Sequence, residues 1–174
     1  MKSITFLLLF ILINISDSYS QSHHNFNSGK WIGEWTGTLH IYYPVRNLEL
    51  QAKLEITNTD EPGKLGWKTV YDNGKIEKKY LLKTKDAEKG QYILDEDNTI
   101  MLDYYYSDNT FYCVFEVENV LLTSIYRMEG ENIIMEVTSS ELKNPNISGN
   151  NSGDSKEVKS YPVFVVQKAI FSKK

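Results

Sequence analysis

Few side chains in this 174-residue sequence are able to perform nucleophilic or acid–base chemistry. Nucleophilic catalysis requires a Ser or Cys beside a base and an orienting acid. The single cysteine, Cys113, alternates with Phe111 and Phe115, a spacing typical of a small buried side chain in a strand. His40 falls on the polar face of an earlier alternating segment, whereas Cys113 falls on an apolar face. A Cys–His dyad needs both side chains on the same face of the sheet. We therefore predict no catalytic residue and no enzymatic activity.

Metal-binding patterns in the sequence are incomplete. Asp95-Glu96-Asp97-Asn98 resembles the start of a calcium loop, but the sixth position is Ile100 rather than Gly and the twelfth is Tyr106 rather than Glu. This segment is therefore interpreted as a solvated turn. His23 and His24 are adjacent in a polar stretch. With three histidines and one cysteine, the sequence has too few of the usual ligands for a zinc site. We predict no metal site and no cofactor.

Tyrosine is unusually frequent, with 12 residues, three of them consecutive at Tyr104-Tyr105-Tyr106. A phenol combines an apolar ring with a hydroxyl group, which suits the wall of a cavity for an amphipathic ligand. Tyrosines also form ordinary core and cross-strand pairs in β proteins, and both interpretations stay open. The predicted ligand-binding residues are Trp35, Leu50, Leu54, Trp67, Tyr80, Leu82, Tyr104 and Phe115.

Strands must position these side chains, because apolar and polar residues alternate along much of the chain. Apolar residues occupy the odd positions of 31–43, and the segment 48–56 continues the pattern with reversed parity. Asn73-Gly74 then provides two residues that tolerate the positive φ angles of a type I′ hairpin turn, which pairs Asp72 with Lys75.

The register set by this turn pairs residues of matching polarity. Counting outward, one face carries Tyr71 with Ile76, Trp67 with Tyr80, and Leu65 with Leu82, and the other face carries Lys68 with Lys79. A slip of one residue would move the aromatic side chains into solvent, so turn and pattern support each other.

Further strands are predicted at 91–95, 99–107, 110–118, 120–128, 133–141 and 158–171. Turn signals recur roughly every 8 to 12 residues, and no segment has the 3.6-residue period of a helix. The stretch 143–156, rich in Asn, Ser and Gly, is predicted to be a mobile loop. We predict an all-β fold, an antiparallel up-and-down β-barrel of about 8–10 strands rather than a sandwich, because closure removes exposed edges.

The N-terminus has the pattern of a secretory signal peptide. Lys2 precedes an apolar run at 4–13, and the small residues Ser18 and Ser20 predict cleavage before Gln21. The run of about ten apolar residues is too short to span a bilayer, which takes roughly 18. The predicted organisation is a signal peptide at 1–20, a flexible tail at 21–28 and a single barrel domain at 29–174. We expect a secreted or periplasmic protein with no transmembrane helix.

Charge and composition limit the possible partners. The net charge is −4, and Asp103 and Asp108 flank the tyrosine run, so no basic stripe for nucleic acid is present. One cysteine allows no intramolecular disulfide. Sequons begin at Asn146 and Asn150, and they matter only in a eukaryotic secretory pathway.

A family resemblance begins at the first predicted strand. Gly29-Lys30-Trp31, repeated as Gly33-Glu34-Trp35, resembles the Gly-x-Trp signature of lipocalins and related calycin barrels. With its successive strands and a terminal segment at 163–169, the chain is similar to secreted lipocalin-like proteins of Bacteroidetes. The resemblance implies that Gly29 and Trp31 close one end of the barrel, a role that Trp35 could equally take. The late axial histidine of haem-binding barrels has no counterpart here.

The leading hypothesis is an extracytoplasmic protein that binds a small hydrophobic or amphipathic molecule inside the barrel. This hypothesis needs a cavity of a few hundred Å³. The alternative is a secreted or envelope interaction module with a filled core, no small ligand and a working surface on loops such as 143–156. A lyase or isomerase, as found among some calycin relatives, is a third hypothesis.

Overall fold

The computed structural model describes residues 26–149 and 156–174. The predicted signal peptide, His23, His24 and the sequon at Asn150 lie outside the described residues. One helical turn, α1 (Ser28–Trp31), precedes the strands. The strands are β1 (Gly33–Tyr42), β2 (Asn47–Asn58), β3 (Lys64–Tyr71), β4 (Ile76–Asp86), β5 (Gln91–Asp95), β6 (Met101–Ser107), β7 (Thr110–Val117), β8 (Val120–Glu129), β9 (Asn132–Glu141), β10 (Asn146–Ser148), β11 (Val158–Ser160) and β12 (Val163–Lys173).

Ten of these strands form a closed antiparallel barrel, which confirms the predicted fold class. β1 to β9 pair in sequence order, and β12 completes the ring between β9 and β1. The two short strands β10 and β11 pair only with each other, as a hairpin inserted between β9 and β12. No helix in the described part of the chain is long and apolar enough to cross a membrane.

The first strand begins later than predicted, because 28–31 forms a turn of α-helix. The Ile32 N–H donates to the Ser28 carbonyl over 3.0 Å, and Gly33, with φ of +147°, changes the chain direction into β1. The prediction of no helix was wrong here because four residues are too few to show a helical period. The last residues of the predicted tail are also packed, since the Phe26 ring lies 5.0 Å from that of Phe111.

The register of the β3–β4 hairpin is confirmed for every predicted pair from Leu65–Leu82 to Tyr71–Ile76. Both Asn73 and Gly74 have positive φ, and the Lys75 N–H donates to the Asp72 carbonyl over 3.2 Å. Asp72 also has a positive φ, of 50°, so it leaves the extended conformation. The ladder therefore ends at Tyr71–Ile76, one pair before the predicted Asp72–Lys75.

The C-terminal prediction needs two corrections. The predicted strand at 158–171 is divided into β11 and β12 at Pro162, which lacks a backbone N–H for a strand ladder. Its carbonyl instead accepts a hydrogen bond from the Glu141 N–H over 3.3 Å. The predicted loop 143–156 includes β10, which pairs with β11 from Asn146–Ser160 to Ser148–Val158.

Candidate functional site

The barrel has two unlike ends, and aromatic rings close the end near α1. The Trp31 side chain is buried, and its ring centroid lies 5.2 Å from that of Phe111 and 6.0 Å from that of Trp67. The Trp35 indole N–H donates to the Trp31 carbonyl over 2.8 Å, which ties the turn to β1. Phe26 adds an edge contact to Tyr92 at 5.5 Å. These edge-on ring contacts are favourable beyond simple burial.

Side chains fill the half of the barrel next to this aromatic closure. A void of only about 10 Å³ remains there, lined by Trp67, Leu82, Leu94, Tyr104, Phe111 and Tyr126. Such a volume scarcely holds one water molecule and is far below that of a ligand pocket. This void therefore provides no space for a small molecule and is far smaller than the few hundred Å³ that the ligand-binding hypothesis needs.

Inward-facing side chains of the opposite half are less completely buried. Cross-strand pairs share a face, so Leu50 faces inward with buried Leu39, and Tyr80 faces inward with buried Trp67. Inward-facing side chains of the open half that are only half-buried are Ile41, Leu50, Tyr71, Tyr80, Leu102, Phe115, Leu122 and Val137. Together they form an apolar inner wall of partly buried side chains towards the open end, most of which pack against the core.

Between the two halves lies a group of hydroxyl-bearing side chains, here termed the hydroxyl layer. Its members are Thr69, Tyr71, Tyr80, Tyr104, Ser124 and Tyr126. The Tyr104 hydroxyl donates to Ser124 Oγ over 3.1 Å. Within the described residues, Thr69 Oγ1 and Trp67 Nε1 are buried with no partner at full hydrogen-bond distance and angle. Tyr71 and Tyr80 nevertheless lie close enough to Thr69, and Tyr126 close enough to Trp67, for each contact to oppose the rise in the pKa of the phenol.

Burial keeps the phenols of the hydroxyl layer protonated. It raises the pKa of Tyr80 to about 12, with a further contribution from the Glu96 carboxylate. The pKa values of Tyr71, Tyr104 and Tyr126 are also raised, in each case mainly by burial. At neutral pH these hydroxyls therefore act as hydrogen-bond donors, and no phenolate is available as a base.

Two charged side chains flank the hydroxyl layer. Glu96 is half-buried, and its carboxylate lies close enough to raise the pKa of both Tyr80 and Tyr104. Lys78 lies opposite Thr69 in the β3–β4 ladder and is exposed at the open end. Groups of both charges thus lie beside the hydroxyl layer, since Lys78 shares the inward face of Thr69.

The structure divides the predicted ligand-binding residues into two groups. Trp35, Leu54, Trp67, Leu82 and Tyr104 are buried in the filled half, whereas Leu50, Tyr80 and Phe115 are half-buried on the open inner wall. Trp67, Leu82 and Tyr104 line one void, while Trp35 pairs with Leu54 on another wall. Gly29 lies in α1, and Trp31 packs across the closed end.

The sequence reasoning missed several members of the hydroxyl layer. The predicted register placed Tyr71 on the face of Trp67, as the structure has it, but Thr69 on that same face was not singled out. Ser124 and Tyr126 lie in a predicted strand whose inward face has no sequence signal apart from alternation. Glu96 lies in the segment interpreted as a turn.

The remaining candidate residues lie apart from the interior. His40 Nδ1 is 3.2 Å from the Glu49 carboxylate on the outer wall, whereas Cys113 is buried on the inner face. In the segment 95–98, Asp95 Oδ1 accepts a hydrogen bond from the Asp97 N–H over 2.9 Å. The Asp95 carboxylate also pairs with Lys83, and this arrangement is a hydrogen-bonded turn.

Clefts of larger volume lie at the rim of the closed end. One of about 350 Å³ is bordered by Phe26, Thr59, Lys64 and Tyr92, among other residues. Another of about 610 Å³ is bordered by Lys30, Trp35 and Lys173, whose ammonium lies 5.1 Å from the centroid of the Trp35 ring. The first cleft is also lined by Leu65 and Leu82, which are buried and face inward, and neither cleft is lined by a member of the hydroxyl layer.

Exposed large apolar side chains are concentrated around the open end, and we term this group the apolar rim. Its members are Tyr42, Tyr43, Val45, Leu48, Ile76, Ile100, Met101, Val117, Ile147, Val158, Val163 and Phe164. They come from every connection at that end, including the β10–β11 hairpin. A concentration of exposed apolar side chains at one end of a protein favours an interaction surface there.

Fold and site together define the class as a closed ten-stranded up-and-down β-barrel with one aromatic, filled end and one open end. Among solved structures, the chain is similar to the crystal structure of a protein of unknown function from the DUF3598 family of Nostoc punctiforme. The TM-score is 0.60 at 13% sequence identity, and the match covers 86% of this chain and 49% of the other. This chain thus spans about half the length of that protein, and the likeness shows the fold alone. No family model and no curated protein matches the chain.

Proposed function

We propose that this protein is an extracytoplasmic, non-enzymatic binding protein of lipocalin-like type, which holds a small hydrophobic or amphipathic molecule in the open half of the barrel. One observation carries the proposal: half-buried apolar side chains face inward above a layer of hydroxyl donors. Apolar walls with a few convergent polar groups are the usual composition of small-molecule sites. The location outside the cytoplasm rests on the signal-peptide pattern of 1–20.

A fluorescence titration with the neutral apolar probe N-phenylnaphthylamine tests this proposal. Phe115 faces the open interior, whereas its neighbour Val114 is exposed on the outer wall, so the two provide a matched pair. Phe115→Ser should weaken probe binding about tenfold or more, because an aromatic side chain contributes roughly 1.5–3 kcal/mol of apolar contact. Val114→Ser should leave the affinity unchanged. Absence of saturable binding, or equal effects of both substitutions, would refute the proposal.

The apolar rim favours a second candidate function, that of a secreted or envelope interaction module. In that case the filled half is a structural core, and a protein partner covers the rim. Ile147 and Val158 are exposed on the β10–β11 hairpin, which is an isolated element of the rim. Loss of partner capture after deletion of 146–160, in a protein that never binds an apolar probe, would favour this function over the first.

A further inference from the structure

A cleft of about 350 Å³ opens at the closed end, between the β2–β3 and β4–β5 connections, and is termed here the closed-end cleft. Leu65, Leu82 and Tyr92 form its apolar floor, because each faces inward and is at most 8% exposed. Leu82 also lines the small internal void, so the cleft extends to the barrel core. Its volume lies within the range of small-molecule sites, roughly 300–1,000 Å³.

Hydrogen bonds hold the walls of the closed-end cleft in place. Thr59 Oγ1 donates to the Lys64 carbonyl over 3.1 Å and accepts from the Glu61 N–H over 3.3 Å. The Thr84 N–H donates to the Gly63 carbonyl over 2.8 Å, which joins the β2–β3 connection to β4. A site that is formed before a ligand arrives loses less conformational freedom on binding.

Tyr92 provides a polar group on the apolar floor. The residue is 4% exposed, and within the described residues its hydroxyl forms no hydrogen bond. A phenol can donate or accept, so a hydroxyl, carbonyl or amide group of a molecule in the cleft can pair with it. The Phe26 ring, 5.5 Å from that of Tyr92, adds an aromatic surface to the same cleft.

The charges in the lining of the closed-end cleft neutralise each other. Glu61 and Lys64 are its charged residues, and the Lys64 ammonium donates to the Glu61 carboxylate. A charged ligand would lose hydration on the apolar floor and would find no unpaired counter-ion in this lining.

We propose that the closed-end cleft is a second binding site, for an uncharged, mainly apolar or aromatic molecule with one group that forms a hydrogen bond with the Tyr92 hydroxyl. The apolar part of the molecule packs on Leu65, Leu82 and Phe26. The site shares no residue with the open inner wall, so this inference goes beyond the proposed function.

Titration of the isotope-labelled protein with 2-naphthol at pH 7, followed by amide NMR signals, tests this inference. The neutral naphthol should give saturable shifts at Gly63, Leu65 and Thr84, which border the cleft. Naphthalene, which lacks the hydroxyl, should bind about three- to tenfold more weakly, the effect of one lost hydrogen bond. The anion 2-naphthoate should bind at least about tenfold more weakly, because its charge is desolvated without a partner.

Three variants separate the contributions to binding. Tyr92→Phe removes only the hydroxyl, so 2-naphthol should bind about three- to tenfold more weakly and naphthalene should bind unchanged. Tyr112→Phe makes the same change at an exposed tyrosine of the outer wall and should have no effect. Ala87 is an exposed residue of the cleft lining, and Ala87→Trp should fill the cleft and abolish the shifts.

Absence of saturable shifts at the cleft, or unchanged binding in Ala87→Trp, would overturn the site. Equal affinities for 2-naphthoate and 2-naphthol would overturn the uncharged class of ligand, and equal effects of Tyr92→Phe and Tyr112→Phe would overturn the role of Tyr92. Phe115→Ser should leave the cleft shifts unchanged, and Ala87→Trp should leave binding of N-phenylnaphthylamine unchanged. Failure of this inference is therefore distinguishable from failure of the proposed function.

Discussion

Replacement of Thr69 by Val is expected to stabilise the ligand-free protein, although most core substitutions destabilise. Thr69 is 2% exposed, and among the described residues its hydroxyl has no partner at full hydrogen-bond distance and angle, with the Tyr71 and Tyr80 phenols nearby in weaker contact. A buried hydroxyl without a hydrogen bond costs about 1–3 kcal/mol, and valine has nearly the same shape with a methyl group in its place. We therefore expect the free energy of unfolding to rise by about 1–2 kcal/mol. For a domain of this size, that corresponds to an increase in Tm of about 2–8 °C.

Urea and thermal unfolding, followed by circular dichroism, measure this effect. Thr123→Val is the matched control, because it makes the same chemical change at a hydroxyl that is hydrogen-bonded to Thr138. The control should lose about 0.5–1.5 kcal/mol of stability, the net contribution of one hydrogen bond. If Thr69→Val proves less stable than the unmodified protein, the Thr69 hydroxyl is satisfied in the ligand-free state and the reasoning from its burial is wrong.

Three further predictions concern the seam, the thiol and the phenols. Gly37→Ala should destabilise the barrel by roughly 1–3 kcal/mol or more in urea unfolding, because an added Cβ would lie 2.2 Å from the Ile170 carbonyl oxygen; stability equal to that of the unmodified protein would contradict this. Burial raises the pKa of Cys113 to about 11, so Ellman's reagent at pH 8 should react slowly with the native protein and quickly in urea, and equal rates would count against the buried thiol. Burial raises the pKa of Tyr80 from 10 to about 12. The stability that the protonated Tyr80 side chain contributes should therefore be complete below about pH 10 and be lost as the pH rises towards 12. A free energy of unfolding that stays constant across this interval would contradict the prediction.

Local pattern was sufficient to predict the strands and most of their pairing. The Asn73-Gly74 turn and the alternation around it determined a register that the structure reproduces. Alternation also identified the inward faces, because neighbouring residues in a strand point to opposite sides. The α-helical turn at Ser28–Trp31 and the hairpin of β10 and β11 escaped prediction, since three or four residues are too few to establish a period.

The division of the interior into a filled half and an open half could not be read from the sequence. Tyr80 and Tyr104 are the same residue type on inward faces, yet one lies half-buried and the other buried in the filled half. Their difference depends on how far each strand is staggered around the ring and on where Phe26 and Trp31 pack. These are long-range relations, and hydrophobic periodicity reports only which side of the wall a residue faces.

The seam between β1 and β12 has a consequence for how this chain reaches its native state. Most ladders of the ring join strands that are neighbours along the chain and can form as successive hairpins. The β9–β12 ladder spans the inserted hairpin, and the β1–β12 ladder joins the two ends of the barrel sequence, pairing Tyr42 with Val166. Contacts between such distant positions form slowly, because a long segment must lose conformational freedom first. Until β12 is in place, the chain is an open meander with unpaired edges, a form prone to aggregation. Pairing of β12 with both neighbours is therefore the step that removes the last unpaired edges of the barrel.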